Sequence, residues 1–206
     1  MSCGKVRVKE NTSDRRVQRT RRLLHKALIS CILEKKYESI TVQEILDRAD
    51  VGRSTFYMHF RDKDELLVSG FRELQGLLNS AQAATGDLLG KSYERIIGFS
   101  QAMFEHAHEY RTVNRALLGS GAETIVRWQI HFVLAGLVGK EVAIQFCRVR
   151  RASSAVSPEL LTHFLVSTYI SVMSWWLKAR NPAPAKEIAA AYRELVLPCL
   201  ASIFKP

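Results

Sequence analysis

Apolar residues recur along most of this 206-residue chain at intervals of three and four, which is the spacing of one face of an α-helix. Strand-like alternation is nearly absent, and only 11 glycines and 5 prolines interrupt the pattern. The sequence therefore predicts an all-α protein. The predicted helices span residues 14–36, 41–49, 53–60, 62–78, 91–108, 112–118, 122–147, 158–180 and 185–204.

Short capping motifs locate the starts of three of these helices. Thr41 and Glu44 have the Thr-x-x-Glu spacing of a capping box, in which each side chain bonds the other residue's backbone amide. Asp62 and Glu65 repeat this spacing at the start of the fourth helix. Residues 157–158, Ser-Pro, combine an N-cap residue with a proline at the first helical position.

The second and third helices are short and are joined by a tight turn at residues 50–52, after a longer, basic first helix. This arrangement predicts a helix-turn-helix. Phe56 and Phe60 are four residues apart, so we expect them to be buried on one face of the third helix. The other face is dense in hydrogen-bond donors, which are Arg53, Ser54, Thr55, Tyr57 and His59.

Positive charge is concentrated near the N-terminus. The formal net charge is +10 and the pI is about 9.7. Residues 1–26 hold nine basic and two acidic residues. A basic segment beside a helix-turn-helix indicates a polyanionic partner, and double-stranded DNA fits the motif. The competing interpretations are a solvated polar face for the third helix and a charged helix end for the arginines.

The predicted DNA contacts have distinct chemical roles. Arg53 is suited to a guanine edge, and Ser54 and Thr55 are suited to phosphates. Tyr57 and His59 are suited to the DNA backbone or to thymine methyl groups. The free amides at the start of the second helix offer a further phosphate site. The complete predicted set is Arg15, Arg16, Arg19, Thr41, Val42, Arg53, Ser54, Thr55, Tyr57, His59 and Lys63.

Neither a catalytic constellation nor a motif for a metal or a cofactor stands out, so we expect a protein that is not an enzyme. The cysteines are Cys3, Cys31, Cys147 and Cys199. They lack CxxC spacing and are expected to be inert free thiols, with a redox sensor as the alternative for Cys147 or Cys199. His106 and His108 are two residues apart and point in different directions on a helix, which disfavours a shared metal.

The chain carries no visible signal peptide. Its longest uninterrupted apolar run, residues 132–139, is far shorter than a bilayer span. We therefore expect a soluble, cytoplasmic protein with no membrane partner.

Residues 40–67, "ITVQEILDRADVGRSTFYMHFRDKDELL", follow "RRLLHKALISCILEKKY", and together these segments resemble the TetR family of bacterial transcriptional regulators, TetR/AcrR type. Two positions depart from the family pattern: Asp50 replaces the usual glycine, and Gly52 replaces the usual serine. Asp50 tolerates a left-handed turn better than most residues, and Gly52 is an acceptable N-cap. The positions that match are Thr41, Ile45, Ala49, Val51, Thr55, Phe56, Tyr57, His59, Phe60, Lys63 and Leu66.

The resemblance implies a division of the chain into a flexible basic N-terminus (1–12), a helix-turn-helix DNA-binding domain (13–61) and a helical regulatory and dimerisation domain (62–206). It also implies a repressor that a small apolar or aromatic effector releases from a near-palindromic operator. The first alternative is a TetR-like co-regulator that acts through a protein partner without strong DNA binding. An enzyme is the second alternative.

The last two predicted helices are apolar all round, so the core of one domain covers only one flank of each. Pairing both with their symmetry mates in an isologous four-helix bundle covers the rest. Such a homodimer sets two recognition helices about one DNA turn, or a small multiple, apart. The predicted interface residues are Leu165, Val172, Trp176, Tyr192, Leu195, Val196 and Cys199.

The C-terminal region is rich in aromatic residues, which in helical proteins pack in a core, fill a dimer interface or line a mostly apolar ligand pocket. We expect an effector to lie among the fifth to eighth helices. The predicted ligand-binding residues are Phe99, Met103, Phe104, Trp128, Phe132, Phe164 and Tyr169.

Overall fold

Within residues 12–85, 92–148 and 156–204, which the computed structural model describes, the chain forms ten α-helices, two short 3₁₀ segments and no strand. The predicted all-α fold class is confirmed. Of the predicted flexible N-terminus, residues 1–11 lie outside the described residues. The helices are α1 (Thr12–Glu34), α2 (Val42–Ala49), α3 (Arg53–Tyr57), α4 (Lys63–Ser69), α5 (Phe71–Ala84), α6 (Ser100–Glu109), α7 (Arg111–Leu117), α8 (Gly121–Arg148), α9 (Pro158–Lys178) and α10 (Ala185–Phe204).

Two predicted helices take a different form. The predicted fourth helix is divided into α4 and α5 at Gly70, a residue with low helix propensity. The predicted helix over residues 91–108 begins instead as a 3₁₀ segment, Ser92–Ile97, followed by α6. In this segment Tyr93 and Ile96 are buried, and the tighter three-residue repeat brings them to one side.

The chain divides into two compact units, Met1–Leu67 and Val68–Pro206. In the first unit, α1 packs on α2. Leu24 and Leu28 of α1 and Ile45 of α2 are almost fully buried. Leu24, Leu28 and Ile45 lie on the inner faces that the apolar spacing predicts, so burial of these faces fixes the angle at which α2 and the following turn leave α1.

In the second unit, α8 packs extensively against α9, and α10 packs against α6. The centre of this unit is an aromatic cluster in which the Phe104 ring lies 4.9 Å from the ring of Tyr169 and 5.5 Å from that of Trp176, between centroids. The Tyr169 hydroxyl donates to the Ser100 carbonyl oxygen at 3.0 Å, so its one donor is satisfied inside the core. Burial raises the pKa of Tyr169, which therefore remains neutral.

By length and composition alone, α8 and α9 are each apolar enough to cross a membrane. The longest uninterrupted apolar run does not indicate this, because scattered polar residues divide the apolar residues of both helices into shorter runs. A core helix of a soluble protein can have the same length and composition, and both helices contribute buried residues to the hydrophobic core. Their hydropathy is thus a weak indication of a membrane span.

Candidate nucleic-acid interface

The start of α2 is fixed by the predicted capping box, which the structure confirms. The Glu44 amide donates to Thr41 Oγ1 at 3.3 Å, and the Thr41 amide donates to Glu44 Oε2 at 2.9 Å. The Lys35 ammonium also pairs with the Glu44 carboxylate. Lys35 and the Thr41 amide lower the pKa of Glu44 to about 2. At this N-terminus Thr41 is exposed and Val42 is half-buried, so a phosphate can reach the backbone amides of the first turn.

The turn between α2 and α3 depends on a left-handed residue. Asp50 has φ 52° and ψ 49°, and among the described residues it is the single non-glycine residue with positive φ. Its amide donates to the Leu46 carbonyl, and the Val51 amide bonds the same oxygen at 3.1 Å. Asp50 therefore occupies the conformation for which the family pattern has glycine, and both amides close the end of α2.

The recognition helix α3 is anchored by two phenylalanines. Phe56 is fully buried and Phe60 is 2 % exposed, with their ring centroids 5.7 Å apart, which confirms that they share an inner face. Because α3 is only five residues long, this anchor determines which side chains face outward. On the outer side, Arg53, Ser54 and Tyr57 are exposed, and Thr55 and His59 are half-buried.

Two exposed residues beside α3 are absent from the DNA contacts predicted from the sequence. Met58 follows the recognition helix directly and is 73 % exposed, which is unusual for a large apolar side chain. Arg61 is also exposed and pairs with Glu65 at 3.1 Å. Both residues lie within residues 40–67, which resemble the TetR family. Met58 could have been recognised from the sequence, because it is apolar but does not lie on the inner face of Phe56 and Phe60.

Lys63 requires a correction. Its ammonium donates to the carbonyl oxygens of Tyr37, Glu38 and Ile40 at 2.8, 3.3 and 2.8 Å. It also lies 4.6 Å from the centre of the Tyr37 ring. A lysine ammonium has three N–H donors, so this arrangement leaves none for a phosphate. In this structure Lys63 closes the 3₁₀ segment Tyr37–Ser39 rather than offering a free cation to DNA.

The basic side chains of α1 divide between internal and outward positions. The guanidinium carbon of Arg21 lies 5.5 Å from the centre of the Phe60 ring, where it covers the anchor of the recognition helix. The predicted contacts Arg15, Arg16 and Arg19 are exposed. These three arginines lie within two helical turns before Arg21 on α1, and their exposed side chains are suited to phosphate contact.

The predicted ligand residues fall into two groups, neither of which lines the apolar cleft of the second unit. Phe99, Met103, Phe104 and Tyr169 are at most 2 % exposed and belong to the hydrophobic core, so a role in ligand binding stays a prediction for them. The Phe99 and Tyr169 ring centroids lie 5.2 Å apart. Trp128, Phe132 and Phe164 are 66, 60 and 47 % exposed and lie on the surface.

The predicted interface residues differ in their burial within one chain, and their role in a dimer stays a prediction. Leu165, Trp176, Tyr192 and Val196 are at most 4 % exposed within one chain, because α9 and α10 turn these faces toward their own core. Val172 and Cys199 are half-buried, and only Leu195 is openly exposed, at 76 %. The large exposed apolar residues on α9 and α10 are Leu160, Phe164, Trp175 and Leu195.

Among the described residues, no group of three or more histidine, cysteine, aspartate or glutamate side chains could hold a metal ion.

The geometry of α1–α3 is that of a helix-turn-helix protein, the class to which many transcriptional regulators belong. Residues 24–69 match the family model described as "Bacterial regulatory proteins, tetR family". Over these residues the chain therefore carries a helix-turn-helix of the TetR type.

One curated protein is similar to part of this chain, and solved structures share its fold. The chain is 45 % identical over 62 residues to the uncharacterized HTH-type transcriptional regulator YxbF of Bacillus subtilis (strain 168), a match that covers 30 % of this chain and 16 % of that protein. A putative TetR-family regulator from Syntrophomonas wolfei str. Goettingen has a TM-score of 0.71 at 16 % identity, over 89 % of this chain and 96 % of its own. A TetR regulator from Streptococcus agalactiae 2603V has a TM-score of 0.59 at 24 % identity, over 89 and 97 %.

Proposed function

We propose that this protein is a sequence-specific DNA-binding repressor. The observation that carries the proposal is the recognition helix, in which buried Phe56 holds Arg53 and Tyr57 outward. Arg53 suits bidentate contact with guanine, which gives sequence discrimination. The exposed Thr41 at the start of α2 and Arg19 of α1 suit phosphates, which set register and affinity.

We further propose that the protein acts as a homodimer in the bacterial cytoplasm. Leu160, Phe164 and Trp175 recur on the outer face of α9, and Leu195 is exposed on α10. Covering these large apolar residues of α9 and α10 with a second copy removes apolar surface from water and so stabilises a dimer. A two-fold dimer pairs identical surfaces and presents two recognition helices, so its operator is near-palindromic.

Release of DNA by a small apolar or aromatic effector completes the proposed function. Such release requires that the effector bind the free shape of the protein more tightly than the DNA-bound shape. The second unit is the candidate for this role, because it contains an apolar cleft and takes no part in the helix-turn-helix.

Fluorescence anisotropy on labelled duplexes at several salt concentrations tests DNA binding. A dimer that contacts roughly 6–10 phosphates should give a slope of log affinity against log salt near −0.9 per contact. The double variant Tyr57→Ala/His59→Ala should lose binding, and Lys186→Gln, an exposed lysine on α10, is the control. Salt-insensitive binding, or normal binding by the double variant, would favour a co-regulator that acts through a protein partner.

A further inference from the structure

The second unit contains a small cleft of about 80 Å³, partly open to solvent, between α7, α8 and the C-terminal half of α9. The cleft is separate from the aromatic core, and none of the ligand residues predicted from the sequence lines it. It is therefore a site that the aromatic content of the sequence does not indicate.

The floor of the cleft is apolar. Leu117 of α7 and Met173 of α9 are 4 % exposed and form its buried part. This surface is continued by the half-buried aliphatic side chains of Val126, Ile130, Ile170 and Leu177. A surface of this kind favours a hydrocarbon body. Asn114 and Ser174 are the uncharged polar residues of the lining.

Charged side chains surround this floor, and positive charge is in excess. The lining residues include the cations Arg115, Arg127 and Lys178 and the single anion Glu123. Glu123 is already engaged, because its carboxylate accepts from the Gly119 amide at 2.7 Å and from Arg127 at 2.6 Å. These bonds lower the pKa of Glu123, with the Gly119 amide as the largest cause, so the pair with Arg127 persists.

The remaining cations, Arg115 and Lys178, have donors to spare. One terminal nitrogen of Arg115 donates to the Ala179 carbonyl at 3.2 Å, which holds the side chain in place and leaves other N–H groups of its guanidinium. Within the described part of the chain Lys178 has neither a hydrogen bond nor a close ion pair, although its charge helps to lower the pKa of Glu123. The cleft therefore has an apolar floor and two such cations, and its one anion is paired with Arg127. This pattern complements an apolar molecule with one negatively charged end.

From this charge pattern we infer that the cleft binds a small carboxylic acid with an apolar or aromatic body. Its hydrocarbon part packs on Met173 and Leu117, and its carboxylate pairs with Arg115 and Lys178. The inference rests on the proposed function in one respect: such an acid would be the effector. A carboxylate paired with arginine forms the strong, charge-assisted type of hydrogen bond, which gives the cleft selectivity against the neutral alcohol of the same length.

Isothermal titration calorimetry with matched pairs of ligands tests this inference. The probes are octanoate, decanoate and 4-phenylbutyrate, each compared with its primary alcohol. We expect at least one acid to bind at least tenfold more tightly than its alcohol and to bind more weakly as salt rises. Lys178→Gln should remove most of this preference, while Lys186→Gln, which does not line the cleft, should leave it unchanged.

A second variant keeps the inference testable if a charge substitution perturbs folding. Ser174→Trp places a large side chain in the cleft and should abolish acid binding while leaving the helical circular dichroism intact. Equal affinity for acids and alcohols, no binding by any acid, or unchanged binding by Ser174→Trp would overturn the inference. If the parent protein binds no acid and Ser174→Trp loses the dimer, the inference is also overturned, because a second copy then fills the cleft.

DNA binding measured without ligand separates this inference from the proposed function. If the protein binds DNA but none of the acids, the ligand class is wrong and the regulator remains. If an acid binds with the expected dependence on Lys178 but leaves DNA affinity unchanged, the site stands and its role as effector site fails.

Discussion

The ammonium of Lys63, at the start of α4, lies 2.8 Å from the carbonyl oxygen of Tyr37 and 4.6 Å from the centre of the Tyr37 ring. The next residue, Asp64, accepts a hydrogen bond of 2.6 Å from the Tyr37 hydroxyl. Consecutive residues of α4 therefore bond the backbone carbonyl and the side-chain hydroxyl of one tyrosine. This double attachment joins the first turn of α4 to the segment between α1 and α2.

Replacement of Lys63 by methionine should destabilise the protein. The variant keeps an apolar stem but leaves carbonyl oxygens without their charged donor, at a cost of roughly 1.5–3 kcal/mol in the free energy of unfolding. Urea denaturation followed by circular dichroism measures this difference. Arg61→Ala is the control, because this residue is highly exposed and its loss should change stability by no more than about 0.5 kcal/mol. Unchanged stability combined with weaker binding to every duplex would instead support the phosphate contact predicted from the sequence.

Replacement of Asp50 by asparagine should stabilise the protein by roughly 0.3–1 kcal/mol. Asp50 lies at the C-terminus of α2 in a left-handed conformation, and its negative charge faces the negative end of the helix dipole. Asparagine keeps the tolerance for positive φ and removes the charge. The matched variant Asp50→Ala also removes the charge but favours this conformation less, so it should be less stable than Asp50→Asn. Thermal unfolding of both variants checks this order, and a more stable alanine variant would contradict the role of the backbone angle.

The contribution of Glu44 to stability should depend on pH. Its folded pKa is lowered to about 2 from an ordinary value of 4.5, so the stabilisation is complete above about pH 4.5 and is lost as the pH falls toward 2. The difference in urea midpoint between the parent protein and Glu44→Gln should therefore be largest above pH 5 and shrink through that window. Glu73→Gln, at an exposed position on α5, is the control. A difference that stays constant with pH would rule out the ionised pair with Lys35 as its source.

The exposed apolar residues of α9 and α10 should determine the oligomeric state. Light scattering of the parent protein should give about twice the chain mass of 23.3 kDa. The double variant Trp175→Glu/Leu195→Glu places charge on this surface and should give a monomer. Lys186→Glu, which changes an exposed α10 residue outside the apolar set, should remain a dimer. A parent protein that is monomeric at micromolar concentration would contradict the proposed homodimer.

The first unit was largely predictable from the sequence because its signals are local. The capping box of Thr41 and Glu44 and the four-residue spacing of Phe56 and Phe60 act within one or two helical turns. What sequence reasoning missed there depends on a longer separation. Lys63 bonds residues that lie 23 to 26 positions earlier, and periodicity contains no information about such a contact.

The second unit was predictable as a set of helices but not in the use of their faces. α9 is apolar on most sides, so its sequence does not distinguish the face of Leu165, which is buried in the chain's own core, from the face of Trp175, which is exposed. The cleft is similarly hidden, because its lining comes from the ends of three helices and is mostly aliphatic. Aromatic content led instead to residues that are buried in the core or lie on the outer surface of the helices.

Selection of binding sites from a random double-stranded DNA library, followed by sequencing, tests the central claim most directly. The parent protein should enrich one near-palindromic motif whose half-sites are centred about one helical turn, or a small multiple, apart. Arg53→Ala should relax the preference at one position of each half-site, at a cost of about 1–3 kcal/mol, without altering the spacing. Enrichment of no motif, or of the same motif at full strength by Tyr57→Ala/His59→Ala, would contradict the assignment of α3 as the recognition helix.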